Sequence, residues 1–356
     1  MSRKFLITTT LLILIAIFAA ACQSSEATTA PEEGAAAPSG YGVVVKAIKD
    51  RGKVVCGSRT DLAGFGELDA DGRNVGFDID LCRGIAAALL GDADAVEFVP
   101  LSAAERGPAL QTGEIDILSR NATWTSTRDA QWGNFTAVWF YDGQGFMVPV
   151  DGGINSIEDM DGATVCVTSG TTTELNLADA FRQRGLEFTA VTFEDSATVY
   201  GTYEEGRCDA TTSDKSQLAS IRQGFANPES HKILEITISK EPLTAAVPAG
   251  DDQWFDIVKS VIWGLINAEE LGVNQSNVEQ MKSSDNIKIR RLLGTEGEWG
   301  QADLGLEADA VAKAVEAVGN YGEIYERYLG AGGLNLPRAL NHLWTNGGLI
   351  YAPPLR

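Results

Sequence analysis

Histidine is nearly absent from this chain of 356 residues: only His231 and His342 occur, far apart. That argues against His-rich metal sites and most histidine-dependent catalysis. Basic residues are also few, with 28 Lys plus Arg against 49 Asp plus Glu and a formal net charge of −21. Such acidity argues against non-specific nucleic-acid binding, which needs a basic face to neutralise phosphates. No C-x-x-C pair occurs among the five cysteines, so a cysteine metal site is not suggested. There is no G-x-x-x-x-G-K-[ST] loop and no set of spans, which argues against a P-loop ATPase and against a multi-span membrane protein. What remains, 44 % hydrophobic and 22 % charged, is a globular composition with length for about two domains.

The N-terminus carries an address. Ser2-Arg3-Lys4 precedes an apolar run from Phe5 to Ala21, broken by Thr8, Thr9 and Thr10 and followed by Cys22. This is the pattern of a secretory signal with a small-residue cleavage site, expected over residues 1–21. The run is at the short end for a membrane span, and no charge stops it on the far side. The residues before Cys22 resemble a bacterial lipobox, with Ala19 where such boxes usually carry Leu. Two products are open: a lipidated Cys22, which is the expectation, or a soluble protein released by ordinary signal peptidase. Residues 23–40 have almost no large apolar side chain and cannot offset the entropy of ordering. Residues 22–42 are therefore read as a lipid-anchored tether, holding the protein on the outer face of the cytoplasmic membrane or in the periplasm.

With Cys22 set aside, Cys56, Cys82, Cys166 and Cys208 remain, and export permits disulfides. Three pairings are possible. Cys56–Cys82 with Cys166–Cys208 keeps each bridge within one half of the chain and is the expected one.

Apolar periodicity gives a repeated α/β pattern. Strands are expected at Lys53–Cys56, Val96–Val99 and Ile115–Leu118, with helices at Asp78–Leu90 and Ala103–Gln111 between them. A second unit follows: strands at Ala163–Val167, Glu187–Phe193 and Cys208–Thr212, with helices at Thr172–Arg184 and Ser196–Glu205. Two βαβαβ halves imply two mainly parallel sheets with helices on both faces. Helices near Trp254–Leu271, Glu307–Val318 and Tyr321–Leu329 follow, the last two expected to pack on the first domain.

In such sheets ligands sit beyond the carboxyl ends of the strands. Three stretches lie there. Ser119–Arg128 mixes hydroxyls with Arg120 and Arg128, and an arginine there clamps a carboxylate with two parallel hydrogen bonds, or is merely a surface arginine on a capping loop. Thr168–Glu174 opens a helix, where free N–H groups attract an anion and Thr172 or Thr173 serves as N-cap. Thr212-Ser213-Asp214-Lys215 offers Asp214 to an ammonium group, or as the N-cap of the helix Ser216–Ile221. Together the three describe a clamp for a carboxylate and an acceptor for an ammonium, the two charges of an α-amino acid.

Several motifs extend this reading: Val75–Asp80, Asn121–Thr125 with Arg128, Tyr141–Val148, Ser169–Leu177 and Leu343–Pro354. With them, the chain from about Val43 onward resembles the polar amino-acid-binding family of bacterial ABC transporter solute-binding proteins, of the two-lobed periplasmic type. Within it the pattern is similar to the general L-amino-acid-binding subgroup, which includes glutamate/glutamine/aspartate/asparagine binders. The resemblance implies an α/β fold of two lobes joined by two crossing strands, near Gly145–Val150 and Ile238–Val247. Lobe one would comprise residues 43–146 and 244–356, lobe two residues 147–243. It implies that Arg128 pairs with the ligand α-carboxylate and that Thr123 binds the same region. It further implies that Asn121 acts largely through its backbone and that Thr171 and Thr172 complete the carboxylate site. Asp214 would receive the α-ammonium, and Phe65 would lie near an aromatic contact. Here the chain reads Leu62-Ala63-Gly64-Phe65, where many relatives have Tyr followed by Pro-Phe. Arg120 replaces a common small residue, and two roles are open for it: contact with an acidic ligand side chain, or a structural arginine paired with another loop.

The function so implied is a monomeric receptor, without cofactor or metal, that binds free L-amino acids and delivers them to a permease by hinge closure. Two alternatives share the scaffold. A dehydratase of a small carboxylic acid needs an acid or base at the reacting carbon, for which Glu67 and Glu174 are the spare candidates. A sensor presenting its ligand to a chemoreceptor would use the same site.

Overall fold

A computed structural model describes residues 42–356. The signal peptide, the tether up to Tyr41 and Cys22 lie outside the described residues. Two five-stranded sheets organise the chain. The first runs, in spatial order, Val96–Pro100, Val54–Ser58, Ile117–Leu118, Ala246–Val247 and Asn134–Phe135. Its first three strands are parallel and the last two are added antiparallel. The second runs Phe188–Phe193, Ala163–Thr168, Ala210–Asp214, Gln144–Pro149 and His231–Ile233, again three parallel strands followed by two antiparallel ones. The two βαβαβ units thus form two lobes of the same design. The strands Val54–Ser58 and Ala210–Asp214 are buried along their whole length, as strands covered on both faces must be.

The chain changes lobes at a two-stranded antiparallel ribbon, Phe140–Asp142 with Glu241–Leu243. The first crossing therefore lies before Gly145–Val150, where sequence placed it. That segment pairs instead with Ala210–Asp214, Gly145 opposite Ser213 and Phe146 opposite Thr212, because its apolar side chains fill the second lobe's core. The helix expected at Ala103–Gln111 begins at Arg106, and the one expected at Glu307 begins at Ala310.

The largest core joins the helix Phe77–Leu90, the helix Asp252–Glu270 and the C-terminal helices Ala310–Val318 and Tyr321–Tyr328. The C-terminal third thus packs on the first lobe. Arg327 reinforces this by pairing with Asp80 at 2.6 Å. Asn341 exchanges two hydrogen bonds with the backbone of Tyr141, which seats the extension against the crossing ribbon. The structure joins Cys56 to Cys82 and Cys166 to Cys208, one strand-to-helix bridge in the first lobe and one bridge within the second. Each contributes about 3–4 kcal/mol in the chain-entropy model.

Candidate ligand site between the lobes

The helix Lys215–Gln223 follows the strand that ends in Asp214. Asp214 occupies the N-cap position, yet its carboxylate caps nothing. Asp142, on the crossing ribbon, does so in its place: its carboxylate accepts from the backbone N–H of Ser216 at 3.2 Å and from the Ser216 hydroxyl. Asp214 is left facing a cleft between the lobes. Burial pushes its carboxyl well above the usual range, neighbouring Asp142 and Glu241 push it further, and Arg128 and Arg106 oppose the rise. A positive charge arriving beside it would reverse that shift.

Arg128 enters the cleft from the first lobe. It stands in the first turn of the helix Ser126–Gln131, whose N-cap Thr125 accepts its backbone N–H at 3.1 Å. Its guanidinium donates to the Thr123 carbonyl at 3.1 Å and stacks on Trp132, 4.5 Å from the ring centre. Arg106 stacks on the same indole at 5.5 Å and is anchored on the Ala103 carbonyl. A Cβ on Gly107 would come within 2.6 Å of the Trp132 nitrogen, so glycine there leaves room for the indole that both arginines contact.

From the second lobe comes the helix Thr172–Arg184. Its N-cap is Thr171, whose hydroxyl accepts from Glu174 N and donates to the Thr168 carbonyl. The backbone N–H groups of Thr172 and Thr173 sit in the first turn, where helices leave donors unmet, and both residues line the cleft. An anion between them and Arg128 would meet donors from both lobes.

Arg59, Arg106, Arg120 and Arg128 line the cleft at 2 %, 4 %, 6 % and 7 % exposure, and Asp214 is the single acidic wall residue among the described residues. Arg59 is held by Asp61 at 2.7 Å, Asn121 at 3.2 Å and Gln217 at 3.3 Å, while its Nη2 is buried without a partner. Arg120 is anchored through Nε on the Leu101 carbonyl at 2.6 Å and remains in the cleft wall. Below them Asp78 accepts from Asn121 N at 2.6 Å, and burial raises its carboxyl to about 6 against the pull of that bond and of Arg59 and Arg120. An anionic end of a ligand fits this wall.

Of the eight ligand residues expected from sequence, the structure brings seven to one cleft: Arg120, Asn121, Thr123, Arg128, Thr171, Thr172 and Asp214. Asn121 differs in detail. Its φ of +32° turns its N–H inward to Asp78, and its side chain crosses to Gln217 at 3.0 Å. Phe65 is a core residue, 1 % exposed, set edge-on to Phe77 and Phe140 at 6.3 and 5.6 Å. The hairpin Asp61–Leu62/Gly66–Leu68 folds it inward, and the close approach of Gly76 to the Phe65 carbonyl leaves no room for a Cβ there. Arg59, Arg106, Ser196 and Gln217 also line the cleft, outside the three stretches that the sequence points to. Arg59 was within reach of the same rule, since it follows the strand Val54–Ser58 directly. Glu67 and Glu174 are outside the cleft lining; they accept from Gly64 N and Gly170 N, at 3.0 and 2.9 Å.

Comparison with known proteins agrees with this architecture. Residues 54–331 match the family of bacterial extracellular solute-binding proteins, family 3. The chain is 50 % identical to the general L-amino acid-binding periplasmic protein AapJ of Rhizobium johnstonii over 91 % of this chain and 95 % of that one. It is 46 % identical to the glutamate/glutamine/aspartate/asparagine-binding protein BztA of Rhodobacter capsulatus, covering 87 % and 92 %. A periplasmic binding protein from Brucella ovis solved with glutathione bound superposes with a TM-score of 0.85 at 47 % identity, over 88 % of this chain and 99 % of that one. Two lobes of one design, a charged cleft between them and a family match across most of the chain lead to one assignment: the chain belongs to the bacterial extracellular solute-binding proteins of family 3.

Proposed function

We propose that the protein is the extracytoplasmic receptor of an ABC-type importer, capturing free L-amino acids between its lobes and presenting the closed form to a permease. The observation that carries this is the opposition of Arg128 and Asp214 in one buried cleft, each free of a full ionic partner. A zwitterion supplies both counter-charges on one carbon. The α-carboxylate takes Arg128 with the N–H groups of Thr172 and Thr173, and the α-ammonium takes Asp214. Capture without turnover suits a cleft whose lining, among the described residues, has no histidine, no cysteine and no carboxyl besides Asp214.

Arg59, Arg106 and Arg120 exceed what a zwitterionic head needs. They favour side chains that end in a carboxylate or amide, so glutamate, aspartate and their amides are the expected tight ligands. The relatives named for general L-amino acids and for glutamate, glutamine, aspartate and asparagine support this class. Glutathione, bound in the Brucella relative, carries the same amino-acid head and a distal carboxylate, so γ-glutamyl peptides belong to the ligands to be tried. The N-terminal pattern supports export with lipid attachment at Cys22, and no helix among the described residues is long and apolar enough to cross a membrane. We take the receptor to act as a monomer on its tether.

Native mass spectrometry of protein exported by a bacterial host tests both points. A bound mass equal to a free amino acid, lost on unfolding, and a diacylated Cys22 are expected. A bound sugar or metal ion would contradict the amino-acid reading; a plain signal-peptidase product would remove the anchor.

A further inference from the structure

Glu241 begins the second strand of the crossing ribbon and is 1 % exposed. Four side chains converge on its carboxylate. Oε2 accepts from the Thr123 hydroxyl at 2.6 Å and from the Thr172 hydroxyl at 3.0 Å. Oε1 accepts from Asn176 Nδ2 at 2.8 Å and from the Ser239 hydroxyl. Thr123 stands on the first lobe, Thr172 and Asn176 on the helix that opens the second, and Glu241 on the ribbon between. The two threonine hydroxyls are 3.4 Å apart, and both residues line the cleft.

A hydroxyl has one proton and two lone pairs. A carboxylate accepts only, so each threonine that bonds directly to Glu241 gives up its only donor there. Were Thr123 to donate to Thr172 instead, and Thr172 to Glu241, both protons would still be held within the triad. In either arrangement the hydroxyls can offer a ligand lone pairs and nothing else. Such a surface repels a carboxylate and suits N–H donors. An α-ammonium has three, and Asp214, close enough to Glu241 to feel its charge, satisfies one of them.

We propose that Glu241 is a positioning residue that holds the protons of Thr123 and Thr172 away from the cleft, so that both hydroxyls act as acceptors for the ligand α-ammonium. This deepens the amino-acid reading and rests on it. It moves Thr123 from the carboxylate to the ammonium side of the site. It also makes the seat an interlobe one, because both hydroxyls reach the same carboxylate oxygen only when the lobes are closed on the ribbon.

A double-mutant cycle on L-glutamate affinity, measured by calorimetry on the purified protein, tests this. Four proteins are compared: wild type, Glu241→Gln, the pair Thr123→Val with Thr172→Val, and the triple variant. Glu241→Gln is expected to weaken binding about ten-fold or more. The threonine pair is expected to weaken it as well. Adding Glu241→Gln to that pair is expected to change affinity by less than about three-fold, because the carboxylate then has no hydroxyl to orient. Losses that multiply across the cycle, or a Glu241→Gln protein that binds as the wild type does, overturn the proposal. Thermal unfolding checks each variant. If Glu241→Gln does not fold, Glu241→Asp takes its place in the cycle, since its shorter carboxylate withdraws from both hydroxyls while keeping the charge. A wild-type protein that binds no amino acid at all would instead overturn the parent reading.

Discussion

Asn121 and Gln217 belong to different lobes, and Asn121 Nδ2 donates to Gln217 Oε1 at 3.0 Å. The same oxygen accepts from Arg59, and the Gln217 amide nitrogen donates to the Tyr200 hydroxyl at 2.8 Å. Three residues further on, the Ser220 hydroxyl reaches the Ala63 carbonyl at 2.9 Å, and Gln223 Nε2 reaches the Leu334 carbonyl at 2.9 Å. Residues 217, 220 and 223 share one face of a helix. The second lobe thus presents one helical stripe of polar side chains to the first, which is the closed arrangement of a hinged receptor.

Gln217→Ala removes the central contact of that stripe. Each such bond is worth about 1 kcal/mol, so the variant's closed population is expected to fall several-fold. Small-angle scattering should show a larger radius for the ligand-free variant than for the ligand-free wild type, and the two should coincide at saturating ligand.

Arg128→Ala leaves a ligand carboxylate without its charged partner and is expected to cost about 2–5 kcal/mol of binding. Asp214→Ala removes both the charge and the acceptor that face the ammonium and is expected to act similarly. Either variant binding amino acids as tightly as the parent, in titrations of folded protein, removes that residue from the site.

Arg59→Ala should act on selectivity. Its Nη2 has no partner among the described residues, so an acidic ligand side chain would supply one. Affinity for glutamate is expected to fall about ten-fold or more, while affinity for alanine stays within about two-fold. Equal losses for both would show that Arg59 only supports the fold.

Stability should depend on pH through Asp78. Its folded value, about 6, lies above the ordinary 3.8, so between these limits the folded chain holds more protons than the unfolded one. The contribution is therefore present in full at low pH and is lost as pH rises through about 6. Urea unfolding of ligand-free protein should show a gain from about pH 7 to about pH 4.5 that is larger in the wild type than in Asp78→Asn by on the order of 2 kcal/mol. A pH dependence that is the same in the wild type and in Asp78→Asn would contradict this assignment.

Much of the site was legible because its parts are local. The run Thr171–Glu174 starts a helix, Asp214 ends a strand, and Arg128 lies one helical turn after the loop that follows Leu118. Strand ends and helix starts can be read from short windows. Arg59 obeys the same rule, but what places it in the cleft is its bonding to Asn121 and Gln217, 62 and 158 residues away in the chain. Phe65 was misplaced because only tertiary packing, the hairpin folding back under Gly76, turns it from cleft to core. The crossing lies earlier than the sequence suggests because Phe140–Asp142 and Gln144–Pro149 are both extended, and only pairing distinguishes them. Glu241 had no local mark at all. Its partners Thr123 and Thr172 lie 118 and 69 residues away in the chain.

The most direct measurement is calorimetric titration of ligand-stripped, refolded protein with each of the twenty L-amino acids. Micromolar or tighter binding is expected, strongest for glutamate, aspartate and their amides, and abolished or severely weakened in Arg128→Ala. Folded protein that binds none of the twenty would contradict the amino-acid receptor.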